Sequence, residues 1–198
     1  MTHDELLDLF RKSGALLDGH FRLTSGLHSS GYLQCALVLQ HPQHTEKLGA
    51  AIAKRTREWR PTVVMSPALG GVIIGHEVGR ALGVRAIFAE RQDGALTLRR
   101  GFMLGENDRV LVVEDVMTTG GSTRETIQVA RAAGAQVIGA ATIVDRSAAW
   151  VGPGRRLSFG VPFVSLIEIE LPTHEPDECP LCAQGLPVVK PGSRPVAT

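Results

Sequence analysis

Val110-Leu111-Val112-Val113-Glu114-Asp115-Val116-Met117-Thr118-Thr119-Gly120-Gly121-Ser122 is the stretch on which the reading of the fold turns. Four consecutive apolar residues read as a buried strand. That strand delivers two adjacent carboxylates, and a loop of threonine, glycine and serine then opens a helix. Glycines let backbone N–H groups approach an anion closely, hydroxyls add donors, and a helix N-terminus supplies partial positive charge. The loop is therefore a phosphate cradle. It is not a Walker loop, because no lysine follows the glycines and their spacing differs. Glu114 and Asp115 beside the cradle are acceptors suited to the vicinal hydroxyls of a sugar, so loop and acids together describe a phosphoribosyl ligand. Both acids are expected to be open to solvent before a ligand binds. The bland alternative is a strand–turn–helix with solvated acids and a merely tight turn. Clustering of polar groups at a strand's carboxyl end, where α/β sites form, weighs against it.

The same rhythm extends to either side. A strand over Thr62–Ser66 leads to Leu69-Gly70-Gly71 and a helix to Leu82, and a second strand runs Val84–Ala89. After an arginine-rich excursion comes Arg109–Val113, then a helix from Gly120-Gly121 to about Ala133, then a strand over Gln136–Val144. Strands alternating with single helices predict an α/β fold with a parallel sheet flanked by helices. Ligands of such sheets bind beyond the carboxyl ends of the strands. Here those ends carry Ser66-Pro67-Ala68-Leu69-Gly70-Gly71, Glu114-Asp115 and Asp145-Arg146. The excursion, Glu90–Asp108, sets Asp93-Gly94 between Ala86–Arg91 and Ala95–Phe102, which predicts a long two-stranded flap. Thr2 with Glu5 is a capping box for an N-terminal helix burying Leu6, Leu9 and Phe10, with Gly14 at its end. Gly19–Ser30 reads as loops or short strands, and residues 42–59 as a helix with Leu48, Ile52 and Trp59 on its inner side. Six of the 11 prolines lie in 172–198, so the tail is expected to run extended over the surface.

Composition narrows the class. A chain of 198 residues with 43% hydrophobic content forms one domain with an ample core. Its 21 basic and 20 acidic residues leave net charge +1, which gives no electrostatic footprint for nucleic acid or a membrane surface. No run of apolar residues is long enough to span a bilayer, and the acidic start is unlike a signal peptide. Three cysteines are too few for a disulfide scaffold and fit a reducing, cytoplasmic setting. The basic residues are skewed towards arginine: Lys12, Lys47, Lys54 and Lys190 are the only lysines.

Residues 110–122 resemble the phosphoribosyl-diphosphate signature of the type I phosphoribosyltransferase family, and about residues 10–192 resemble its orotate-using members. Gly14-Ala15-Leu16 and Phe21-Arg22-Leu23-Thr24-Ser25-Gly26, with Ser29 and Tyr32, look like the N-terminal hood that covers the base. Ser66–Gly71 looks like the diphosphate loop, and Ile143-Val144-Asp145-Arg146 like the strand end whose arginine holds orotate. The tail, Cys179-Pro180-Leu181-Cys182 through Lys190-Pro191-Gly192-Ser193-Arg194, resembles a bacterial subgroup. The resemblance implies one domain made of a hood (about 1–40), a core (about 42–170) and the tail (172–198). It implies transfer of the phosphoribosyl group from phosphoribosyl diphosphate to orotate, giving orotidine 5′-phosphate and diphosphate. Arg91, Ala68, Leu69 and Gly70 would hold phosphoribosyl diphosphate together with Glu114, Asp115, Val116, Met117, Thr118, Thr119, Gly120, Gly121 and Ser122. Thr118 and Arg146 would hold orotate, whose carboxylate suits a guanidinium fork. The alternative for Arg146 is an edge charge paired with Asp145, which the opposite facing of strand neighbours disfavours. Glu114, Asp115, Arg99 and Arg100 would carry the catalytic charges. Mg²⁺ is implied as cofactor, held by substrate phosphates and water with no dedicated protein site. A homodimer with the flap closing over the partner's site is implied as well.

The chain departs from that family in two places and leaves one motif over. The flap lacks the lysines and histidine of many relatives, so Arg99 and Arg100 are either their cationic substitutes or solvated charges on a hairpin. Thr24 stands where relatives often have lysine. Cys179-x-x-Cys182, with His174 nearby, lacks the second pair that marks a zinc site and reads as a structural turn, against a metal site shared between subunits. Among the histidines, His28 in the hood loop is the one to watch. A purine phosphoribosyltransferase would share the cradle but not Asp145-Arg146 or the hood. A phosphoribosyl-diphosphate sensor acting on nucleic acid would need a basic face.

Overall fold

The computed structural model describes residues 1–23, 25–148, 152 and 157–191, so Thr24 and Gly192-Ser193-Arg194 lie outside the described residues. The chain opens with α1 (His3–Lys12), where Thr2 and Glu5 form the expected capping box. A small antiparallel sheet follows, made of β1 (Leu16–Arg22) and β2 (His28–Leu33), with β9 (Thr173–His174) added from the far end of the chain. The short helix α2 (Ala36–Leu39) and the longer α3 (Pro42–Thr56) lead into the main sheet.

That sheet has six strands in the order β5-β4-β3-β6-β7-β8. They are β3 (Val63–Pro67), β4 (Arg85–Gln92), β5 (Ala95–Leu98), β6 (Arg109–Met117), β7 (Gln136–Asp145) and β8 (Phe163–Glu168). All neighbours are parallel except β4 and β5, which form a hairpin. The crossovers are α4 (Gly70–Leu82) and α5 (Gly121–Ala132). The α/β reading therefore holds, and the reason lies in β6. Leu111 and Val113 pack with Leu48, Ile52, Ile74 and Val78 of α3 and α4, while Val110 and Val112 pack with Ile127 and Ala130 of α5. Alternate side chains leave a strand on opposite faces, so a strand covered by helices on both sides must be apolar at every position.

Helix α4 lies close against the sheet because its inner face is glycine. A methyl group at Gly75 would come 2.0 Å from Ser66 Oγ, and one at Gly79 would come 2.9 Å from Ala86 Cβ. This close approach brings the first residue of α4, Gly70, up to the end of β6.

Three sequence expectations need correction. The flap is shorter than expected: β5 pairs only with Ala89–Gln92, through a turn in which Asp93 and Gly94 both have positive φ. The pairing stops after Leu98 because the chain turns back at Arg100 (φ 57°), where Phe102 packs edge-on against Phe88. The tail does not merely lie on the surface. β9 pairs with β2, and Val189 bridges to Phe21, so the tail completes the hood sheet. Strand β8 was not foreseen; its Phe163-Val164-Ser165 stretch lacks the continuous apolar character of β6 because it is the sheet's outer edge. No described helix is long and apolar enough to cross a membrane.

Candidate active site

The strand ends converge as the parallel topology requires. Thr142 Oγ1 donates to the carbonyl of Asp115 at 3.0 Å, and the Arg146 amide donates to the carbonyl of Met117 at 2.8 Å. These two bonds tie the end of β6 to β7 and set the backbone of Arg146 against Met117 at the end of β6. The next turn opens at Gly120, whose φ of 74° is open to glycine and strained for other residues. A Cβ there would also meet Phe159 at 2.9 Å. α5 has no side-chain cap, so the amides of its first turn face outward for an anion. A cavity of about 300 Å³ lies over this turn, lined by Glu114, Val116, Thr118, Thr119, Gly120, Gly121, Ser122, Arg91 and Glu125. A larger cavity of about 530 Å³ runs along β8 beside His3 and Arg55, and none of the strand-end groups line it.

Glu114 and Asp115 are half-buried rather than open to solvent, which corrects the sequence expectation. Burial pushes Glu114 up to about 7; the neighbouring charge of Asp115 adds to this, while hydrogen bonds from Thr123 and Ser122 oppose it. Thr123 Oγ1 donates to Glu114 Oε2. Asp115 is also raised by burial, against the backbone amides of Val116 and its own residue. No basic side chain pairs with either acid among the described ion pairs. Asp115 is instead overhung by α4: a Cβ on Gly70 would lie 2.6 Å from its Oδ1. Ala68 and Leu69 form the loop just before, with Leu69 exposed and the Ala68 amide bonded to the Ala89 carbonyl at 2.7 Å.

Arg146 does not pair with Asp145, whose Oδ1 instead accepts from the Ser147 amide at 2.8 Å. Its Nε is buried and has no hydrogen-bond partner among the described residues. Burial lowers the guanidinium's affinity for its proton, and the nearby Cys35 raises it. The Cys35 thiol is itself pushed well up by burial and by the charge of Asp115. Arg146, Cys35 and Asp115 therefore share one neighbourhood at the foot of the hood.

Met117 is placed otherwise than expected. Its side chain is 1% exposed in the core and its carbonyl accepts from the Arg146 amide, so its side chain is not open to a ligand. The flap arginines divide. Arg91 lines the cavity and is held by Glu125 at 2.9 Å. Arg100, just beyond β5, is clamped by Glu90 of β4 at 2.9 and 3.0 Å and lies over Phe88. Arg99 is exposed and forms no ion pair among the described residues. Sequence reasoning missed Glu125, which holds Arg91 and also accepts from the Leu96 amide at 2.6 Å. Nothing in the linear sequence couples an acid on α5 to a flap 34 residues earlier. Thr123 was missed too, although a hydroxyl one turn into the helix after an acid pair is a legible signal.

With this geometry in place, the comparisons with known proteins take on meaning. The phosphoribosyl transferase domain family matches residues 36–155, which leaves the hood strands and the tail outside the matched span. The orotate phosphoribosyltransferase of Heliobacterium modesticaldum is 54% identical over 98% of this chain and 100% of its own length. That of Pelotomaculum thermopropionicum is 52% identical over 99% and 100%. Among solved structures, the Mycobacterium tuberculosis orotate phosphoribosyltransferase in complex with 5-phospho-α-D-ribosyl 1-diphosphate is similar with a TM-score of 0.65 at 26% identity. The match covers 84% of this chain and 95% of that one.

Proposed function

The chain belongs to the orotate phosphoribosyltransferase family, and from that premise we propose that Arg146 takes the carboxylate of orotate while the first turn of α5 takes the 5′-phosphate of the phosphoribosyl donor. The reaction of this family transfers the 5-phosphoribosyl group from phosphoribosyl diphosphate to orotate in pyrimidine biosynthesis. A ring nitrogen of orotate attacks the anomeric carbon as diphosphate leaves, through a transition state with positive charge on the sugar. Orotate is itself the nucleophile, so the protein's tasks are alignment and charge stabilisation. Glu114 and Asp115 accept the ribose hydroxyls and face the developing cation. Ala68, Leu69 and Gly70, with Arg91 and Arg99, surround the diphosphate, and Thr118 borders the base.

The observation that carries the orotate assignment is the buried Nε of Arg146, which has no hydrogen-bond partner among the described residues. A buried N–H left unsatisfied is costly, and a planar carboxylate is the ligand whose geometry can accept from Nε and the adjoining Nη together. Mg²⁺ fits the acids: two half-buried carboxylates without a basic partner are hard oxygen donors beside a phosphate cradle. Glu114 and Asp115 would hold it through water together with the substrate's phosphate oxygens, and it would neutralise the departing diphosphate. A homodimer in the cytoplasm, with Arg99 presented to the partner's site, completes the reading.

Diphosphate release measured with orotate, uracil, adenine and hypoxanthine tests the assignment. Turnover is expected with orotate alone, and Arg146→Ala should weaken it by a charge-assisted contact of about 1.5–3 kcal/mol. Efficient adenine turnover, or wild-type orotate kinetics in the variant, would sink it.

A further inference from the structure

The tail motif Cys179-x-x-Cys182 does not stand alone in three dimensions. His20, near the end of β1, and His28, opening β2, meet it across the hood hairpin, and one ligand atom from each of the four lies within 4.8 Å of every other. Cys179, His20 and His28 are buried, and Cys182 is exposed at the rim. His20 Nε2 lies 2.9 Å from His28 Nδ1, 3.4 Å from Cys179 Sγ and 3.7 Å from Cys182 Sγ. Cys182 Sγ is also 3.3 Å from His28 Nδ1. Spacing alone makes Cys179-x-x-Cys182 a plain turn, since the two histidines lie more than 150 residues away in the chain.

Hydrogen bonds among these groups use only part of this convergence. His20 Nδ1 lies 2.9 Å from the Leu186 carbonyl, which can only accept, so Nδ1 carries the proton and Nε2 presents a lone pair. That nitrogen has one in-plane lone pair, yet an imidazole nitrogen and two sulfurs all converge on it. A hydrogen bond uses it once; a single cation at the centre uses all four donors together. The spacing agrees. Metal–nitrogen bonds of about 2.0–2.1 Å and metal–sulfur bonds of about 2.3 Å put tetrahedral edges at roughly 3.4 Å for N–N and roughly 3.6 Å for N–S. The bond from His20 Nδ1 to a backbone carbonyl is the support that metal-ligating histidines require to fix their tautomer.

We propose that His20, His28, Cys179 and Cys182 form a structural zinc site that fastens the tail to the hood. Two thiolates with two imidazoles select zinc over the hard cations that suit the strand-end acids. Four protein ligands close the coordination sphere, so the site is structural rather than catalytic. It reinforces weak neighbours: Val189 exchanges only two backbone bonds with the hairpin, its amide to the His20 carbonyl at 2.8 Å and its carbonyl to the Arg22 amide at 2.9 Å. The inference is independent of the orotate reaction.

The test is metal content. Full-length protein, purified from zinc-supplemented cells and dialysed against metal-free buffer, is expected to keep about one zinc per chain by mass spectrometry. Replacement by Co²⁺ should give thiolate-to-cobalt charge-transfer absorption. Cys182→Ser, at the exposed rim, and His28→Gln should each lower zinc retention at least about tenfold, and zinc removal should lower the Tm of the wild type but not of these variants. If a variant fails to fold, the cobalt spectrum of the wild type still decides. A zinc-free protein with a Cys179–Cys182 disulfide, unchanged zinc in both variants, or a cobalt spectrum without thiolate absorption would each overturn the proposal.

Discussion

Gly70 and Asp115 are in contact across the two loops of the site, and a Cβ on the glycine would stand 2.6 Å from the Asp115 Oδ1. Gly70 is the first residue of α4 and has no positive φ, so alanine is compatible with its backbone. The atom it would strike is the tip of a side chain, which can swing aside. Gly70→Ala is therefore expected to fold with unchanged or slightly raised Tm, alanine being the better helix former by up to about 1 kcal/mol. The displaced carboxylate should lower kcat/KM at least about tenfold, equivalent to about 1.4 kcal/mol. Wild-type kinetics with a normal Tm would remove Asp115's geometry from the mechanism.

Asp115→Asn keeps the volume and removes the ionic acceptor. We expect kcat/KM to fall at least about 100-fold, or about 2.7 kcal/mol, with the far-ultraviolet circular dichroism unchanged. A loss confined to unfolding would make Asp115 structural.

Glu114 makes stability depend on pH in an identifiable sense. Its carboxyl is raised from 4.5 to about 7 in the fold, so folding favours the protonated form. That contribution is fully present below about 4.5 and is lost as pH rises through about 7. At 1.36 kcal/mol per pH unit the loss amounts to about 3 kcal/mol. Glu114→Gln should abolish it: without ligand the variant should be more stable than wild type at pH 8 and no more stable at pH 4, while being impaired in turnover. Parallel Tm profiles for the two proteins across that range would contradict the assignment.

Arg99 and Arg100 should now behave differently. Glu90 grips Arg100 at 2.9 Å and no such partner among the described residues holds Arg99, so Arg99→Ala should cost more in kcat than Arg100→Ala. Mixing Asp115→Asn with Arg99→Ala subunits tests action across a dimer. If the flap serves the partner's site, each mixed dimer has one doubly defective and one intact site, and an equimolar mixture should recover about a quarter of wild-type activity. No recovery in demonstrated mixed dimers would place Arg99 in its own subunit's site or outside the mechanism.

Much of the fold and the cradle was legible because it is local. The run Val110–Val113 demands a strand covered on both faces, and the glycines and hydroxyls of 118–122 demand a turn into a helix; both follow from period and backbone freedom within a dozen residues. What the chain could not reveal is contact between distant segments. The burial that lifts Glu114, the helix that overhangs Asp115 and the acid on α5 that seizes Arg91 all come from elements elsewhere in the fold. So does the meeting of His20 and His28 with Cys179 and Cys182. Propensity and spacing act over one or two turns of chain, whereas desolvation, ion pairing and metal-ligand geometry depend on distances through space, which only the packed sheet and its hood determine.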